Sequence, residues 1–108
     1  MGWGQVLFDA TKALPPGREW AEVVYVGYPG TVDVTAAATG IFYVALYERA
    51  RFESERARHP FRFPFLIGTA RTSHFQRYNV AAGQYVVIVR ASGWAGRDVQ
   101  VHVRIVHE

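Results

Sequence analysis

Chemistry in a small protein needs a few side chains of the right kind in one place, and this chain supplies few candidates. Its imidazoles are His59, His74, His102 and His107. His102 and His107 lie five apart in a segment with the alternation of a strand, so they point to opposite faces and cannot chelate one ion together. Nothing in the spacing forces His59 and His74 to converge with either. Ser73 and His74 are neighbours whose side chains diverge along a strand, and no G-x-S-x-G elbow is present. The carboxylates Asp9, Asp33 and Asp98 are scattered, and Asp33 alternates outward between Thr31 and Thr35. Neither a G-x-x-x-x-G-K-[ST] nor a G-x-G-x-x-G loop occurs. The chain has no cysteine, which removes disulfides, zinc thiolates and thiol nucleophiles. The expectation is a non-enzymatic protein with no metal site and no cofactor.

Binding chemistry has more to work with. Aromatic residues and arginines interleave in 61-FRFPF-65 and again in Arg71, His74, Phe75, Arg77 and Tyr78. Aromatic platforms flanked by cations are what single-strand nucleic-acid binders stack bases on. The pattern equally describes strands whose Phe61, Phe63 and Phe65 fill a core while arginine lines the wet face. Trp94, in the turn 93-GWAG-96, is a candidate exposed aromatic that could stack on a sugar, fill a partner's pocket or plug one end of the fold. Trp94, Arg71, Phe75, Arg77 and Tyr78 are therefore the candidate contacts for a glycan or single-stranded nucleic acid.

The most charged stretch is 46-LYERARFESERARH-59. As a helix it makes Arg51 and Glu55 i,i+4 partners, and Glu48–Arg51, Glu53–Arg56 and Glu55–Arg58 i,i+3 partners, each worth about 0.2–0.5 kcal/mol. Leu46, Ala50, Ser54 and Ala57 form a narrow small-residue stripe to rest on a sheet edge, with Phe52 off it as a separate anchor. A phosphate-tracking surface avoids interleaved carboxylates, because they repel the ligand. The run therefore reads as a solvated helix or loop near 48–58. The net charge of +3 is modest, and eleven of the twelve basic residues are arginine.

The elements that would position these residues are short and β-like. With 108 residues and half of them hydrophobic, the chain makes one domain with one core, spanning 1–108. Strand candidates are 5–8, 20–28, 31–37, 41–47, 85–89 and 99–106, with a Pro-rich connector over 9–19 and turns at 29-PG-30, Gly40 and 82-AG-83. Val99, Val101, Val103 and Ile105 point one way, and Gln100, His102 and Arg104 the other. The segments 41-IFYVALY-47 and 85-YVVIV-89 are apolar on both faces, whereas an antiparallel sandwich normally wets one face of each sheet. Something must cover the second face, and a second subunit leads the candidates. That reading selects Phe42, Val44, Leu46, Val86 and Ile88 as a self-association face.

The stretch 80-VAAGQYVVIVRASGWAGRDVQVHVRI-105 resembles the "pG-x-Y-x-V-x-V … V-x-V-x-V" ending of small bacterial jelly-roll modules, the pre-peptidase C-terminal and GOLD-like β-sandwiches. In the resemblance Gly83 makes the turn, Tyr85, Val87 and Val89 enter the core, and Val99, Val101 and Val103 return. The likeness extends over roughly residues 20 to 106 and implies an accessory binding or assembly module without catalysis. The acidic turn residues that would hold calcium are missing, so no calcium role carries over.

Together these readings predict an all-β protein, a single antiparallel jelly-roll-like sandwich of seven or eight strands. Its function is expected to be protein–protein association, chiefly self-assembly or scaffolding, with a homo-oligomer or another protein as partner. No apolar run approaches the roughly 20 residues of a membrane-spanning helix, so the chain is expected to be soluble and, by default, cytoplasmic.

Overall fold

The computed structural model describes residues 4–58, 71–93 and 96–108, and of Arg71 the backbone alone. Along these run β1 (Gln5–Leu14), β2 (Glu19–Val26), β3 (Gly30–Glu48), α1 (Arg49–Arg58), β4 (Arg71–Val80), β5 (Gly83–Ala91) and β6 (Val99–His107). Every strand pairing is antiparallel. The order β1-β6-β3-β5-β2, with β4 on the other side of β3, makes one sheet that curls until it is nearly barrel-shaped. The all-β expectation holds, but among the described residues there are six strands in one coiled sheet where seven or eight in a sandwich were expected. The Phe61–Phe63–Phe65 strand lies outside the described residues.

The count falls because 31–37 and 41–47 are one strand. Gly40 was expected to turn the chain, yet β3 continues through it for 19 residues. Residues Val32 to Ala38 pair with β6, and Phe42 to Glu48 pair with β5. At the handover Thr39 Oγ1 accepts from the Gln100 N–H at 3.0 Å, and Ile41 C=O accepts from the Ser92 N–H at 3.0 Å. Glycine suits this close approach, since a Cβ on residue 40 would sit 3.1 Å from Val99 Cγ2 and the valine would have to give way. The expected connector over 9–19 is likewise mostly strand. Asp9, Thr11 and Ala13 stay exposed while Ala10 and Leu14 turn inward, an alternation an edge strand tolerates with few apolar residues.

Val32, Val34 and Ala36 of β3 meet Val101, Val103 and Ile105 on the inner surface of one half of the curl. Phe42, Val44 and Leu46, still on β3, meet Val87, Val89, Trp20 and Val24 in the other. The two ends of the path, β1 and β2, exchange no ladder; side chains seal the seam. Trp20 lies 5.7 Å from Phe8 between ring centroids, and Lys12 Nζ sits 5.6 Å above the Trp20 ring.

The second dry face is covered by the chain itself. Helix α1 lies on the outer side of β3 and β5, where Phe52 packs with Tyr43, Ala45, Tyr47 and the fully buried Ile88. Burial there pushes the Tyr47 hydroxyl up to about 12, helped by Tyr78 and Glu55 and opposed by Arg51. Ala, Arg and Glu favour the helix, and Arg56 and Arg58 complement its C-terminal end. The expected small-residue stripe is not the docking face, since Ala50, Ser54 and Ala57 are exposed. Arg49, Phe52 and Arg56 face the sheet instead, because Phe52 has apolar area to bury and the arginine stems can lie along the surface. Arg49 bonds Gln84 at 2.6 Å and Glu53 at 3.0 Å, and Arg56 donates to Glu19 at 2.5 Å, pinning both ends of the helix.

Truncating Phe52→Ala is expected to cost about 2 kcal/mol, less than a fully buried phenylalanine because the residue is partly exposed. Urea unfolding checks this, with Ala57→Ser as an exposed control expected to leave the midpoint unchanged.

Candidate association surface

The curl has two outer faces of opposite character. One lies under α1. The other spans β1, β6, β3 and β4 and carries no covering element among the described residues. Register sets its rows. Asp9 pairs with Arg104, Arg104 with Thr35 and Thr35 with Phe75, while Thr11, His102, Ala37 and Ser73 make the adjoining row. Phe75 is 61% exposed in the middle of β4. Tyr25 is as open on β2, but its hydroxyl keeps a polar atom for water, whereas Phe75 offers water nothing.

Ion pairs surround that ring. Arg77 donates twice to Asp33, Nε to Oδ1 at 2.7 Å and Nη2 to Oδ2 at 3.0 Å. This bond holds the Asp33 carboxyl below its ordinary value, against a smaller opposing effect of burial. It also raises the already high pKa of the Arg77 guanidinium. His102 Nε2 lies 2.5 Å from Asp9 Oδ1, and Arg104 Nε lies 4.0 Å from Asp9 Oδ2. Among the described side chains of this face, Arg77, Arg104 and His102 each have a carboxylate beside them.

The residues singled out from the sequence divide between environments. Phe42, Val44 and Leu46 point into the core, so they present nothing to a second subunit. Val86 and Ile88 sit on the opposite side of the sheet, 4% and 0% exposed. The five therefore do not form one face, and the apolar surplus that suggested a partner is met by the core on one side and by α1 on the other. Phe75 and Arg77 do share the open face. Tyr78, of opposite parity, turns inward, where burial raises its pKa and its hydroxyl bonds the Leu46 backbone. Trp94 and the Arg71 side chain lie outside the described residues.

The residues whose convergence would matter for catalysis are only partly described. His59 lies outside the described residues, and His74 is on β4 opposite Ala36. Asp98 borders a cleft of about 230 Å³ with Thr39, Ile41, Ser92 and Arg97, and no histidine is among its described lining residues. Among the described residues no three His, Asp or Glu side chains group as a metal site would require. His107 is buried in full against the Tyr28 ring at 4.1 Å, on the side opposite His102, as their spacing required. No described helix is long and apolar enough to cross a membrane.

No protein-family model matches the chain, and no curated protein matches it.

The lowered Asp33 value has a pH consequence. The folded chain binds fewer protons at Asp33 than the unfolded chain at low pH, so the pair contributes fully above the ordinary 3.8 and is lost as pH falls through the lowered value. In acid titrations followed by urea midpoint, Asp33→Asn is expected to lack this part of the stability loss. An unchanged acid limb would show that solvent screening cancels the pair.

Proposed function

We propose that this chain is a non-catalytic β module that works by protein–protein association, principally self-association, through the open face of β1, β6, β3 and β4. The observation that carries the reading is Phe75, a large ring with no polar atom, held 61% exposed on a rigid strand in a face no described element covers. An exposed aromatic ringed by polar groups is the usual make-up of an interface anchor. The resemblance of residues 80–105 to pre-peptidase C-terminal and GOLD-like jelly rolls supports the same non-catalytic reading.

The neighbouring ion pairs favour a protein over a nucleic acid. Binding a phosphate backbone draws on cations free to replace counterions. Here Arg77 is held by Asp33, and Arg104 and His102 share Asp9. A nearly neutral face carrying both signs suits another protein surface of mixed charge, above all a copy of itself.

Sedimentation equilibrium from low to high micromolar concentration tests the reading. The wild type is expected to gain mass with concentration. Phe75→Ser should weaken that association about tenfold or more, the factor that roughly 1.4 kcal/mol of lost anchor contact represents, with no drop in urea midpoint. A monomer throughout sinks the reading, and salt-sensitive binding to an oligonucleotide would replace it.

A further inference from the structure

The way β4 is hydrogen-bonded says how such an association would be built. On one side β4 pairs with β3 from Gly30↔Val80 to Ala37↔Ser73 without a register shift. On its other side it meets no described strand. The remaining ends of the sheet, β1 and β2, face each other across the seam sealed by Trp20, Phe8 and Lys12. Among the described residues β4 is therefore open along its outer side. The second half of β3, where Tyr43 to Glu48 pair with β5 alone, is a further unpaired margin but lies beside the Tyr78 ring of β4.

Which β4 residues present their backbone to that edge follows from parity. Thr31 N–H donates to the Glu108 carbonyl at 3.2 Å, and Glu108 N–H to the Thr31 carbonyl at 2.9 Å. Odd residues of this part of β3 therefore turn their peptide groups toward β6, and even ones turn theirs toward β4. In an antiparallel ladder directly opposed residues alternate between exchanging both bonds and exchanging none. Val32↔Tyr78, Val34↔Gln76 and Ala36↔His74 are then the bonded pairs. Ser73, Phe75, Arg77 and Asn79 point N–H and C=O away from β3, into the open edge. The residue with the exposed ring also turns its backbone groups to the side of β4 that meets no described strand.

Natural sheets blunt such edges with proline, lysine, bulges or very short strands. Over 72-TSHFQRYNV-80 there is no proline, no glycine and no lysine, and pairing with β3 is regular from Ser73 to Val80, a register shift falling only beyond Ser73. Resting on the self-association reading, we propose that the partner is a second copy of this chain, joined by antiparallel pairing of β4 with β4 about a two-fold axis at Phe75. An antiparallel edge is complementary to itself under a two-fold, which makes a closed dimer. In this register Phe75 exchanges both backbone bonds with Phe75 of the second copy, and the two rings become cross-strand neighbours on the open face. Ser73 falls opposite Arg77, His74 opposite Gln76 and Thr72 opposite Tyr78, so no like charges oppose. The two curled sheets become one continuous sheet, and the paired charges of each open face stay in water.

Amide hydrogen exchange read residue by residue across a concentration series tests the pairing on the intact chain. The amides of His74, Gln76 and Tyr78 are expected to be protected at every concentration. Those of Ser73, Phe75, Arg77 and Asn79 should gain protection only as the dimer forms. Ser73→Pro removes an outward N–H and no bond to β3, so it should leave the circular dichroism spectrum intact and weaken dimerisation about tenfold or more. Odd amides protected even in dilute monomer would mean the edge is already covered within the chain and would overturn the proposal. A dimer that depends on Phe75 but leaves the odd amides unprotected, or tolerates Ser73→Pro, would overturn edge pairing while leaving self-association through the open face standing. A chain monomeric at all concentrations would remove both.

Discussion

The structure depends on β3 keeping one parity through its bend. Val32, Val34 and Ala36 turn inward before Gly40, and Phe42, Val44 and Leu46 turn inward after it. A single inserted residue near Thr39 would send one of these sets to the outside, because strand side chains alternate with period two. Gly40 lets the backbone press against Val99, and although the β3–β4 register shifts between Ala37 and Phe42, the inward parity of β3 is kept as its partner changes from β6 to β5. One strand thus supplies both walls of the core, and a sheet that would otherwise be open closes on itself to within the β1–β2 seam.

The same parity explains why the two outer faces differ. Odd residues before the bend are Thr31, Asp33, Thr35 and Ala37, which tolerate water. After it they are Tyr43, Ala45 and Tyr47, which bury apolar area when covered. The chain turns directly from β3 into α1 and lays Phe52 over that second set. Arg56 and Arg90 share Glu19 at the far end, with Arg90 over Tyr43 and Arg56 over Phe52, so the charged helix is tied down by its stems as well as its ring. Its charge serves attachment to its own sheet more than contact with a ligand.

The open face is left with little net charge and one apolar ring. Where Arg77 grips Asp33 and Asp9 serves both His102 and Arg104, the side chains rigidify the surface around Phe75 without creating a strong field. Such a surface gains from shape and backbone complementarity more than from attraction at a distance, and that supports short-range association over steering of a charged polymer.

Much of the local pattern was legible in the sequence. The alternation of 99-VQVHVRIV-106 placed Val99 to Ile105 in the core and sent His102 and His107 to opposite faces. The 46–59 run read as a solvated helix or loop with Phe52 its anchor, of which the structure takes the helix, and the absence of cysteine and phosphate-loop motifs narrows the chemistry. These succeed because period and residue type are local properties of the backbone and side chain. Three things depended on tertiary structure. Gly40 marks a bend only because Val99 approaches it, and in sequence it looks like any turn glycine. A strand apolar on both faces needs a cover, but its composition does not say whether the cover is a second chain or a helix ten residues long that follows at once. And whether Phe75 lies on a central strand or on an open edge is set by the pairing of β3 with β4, β5 and β6, contacts between residues tens of positions apart that no local pattern encodes.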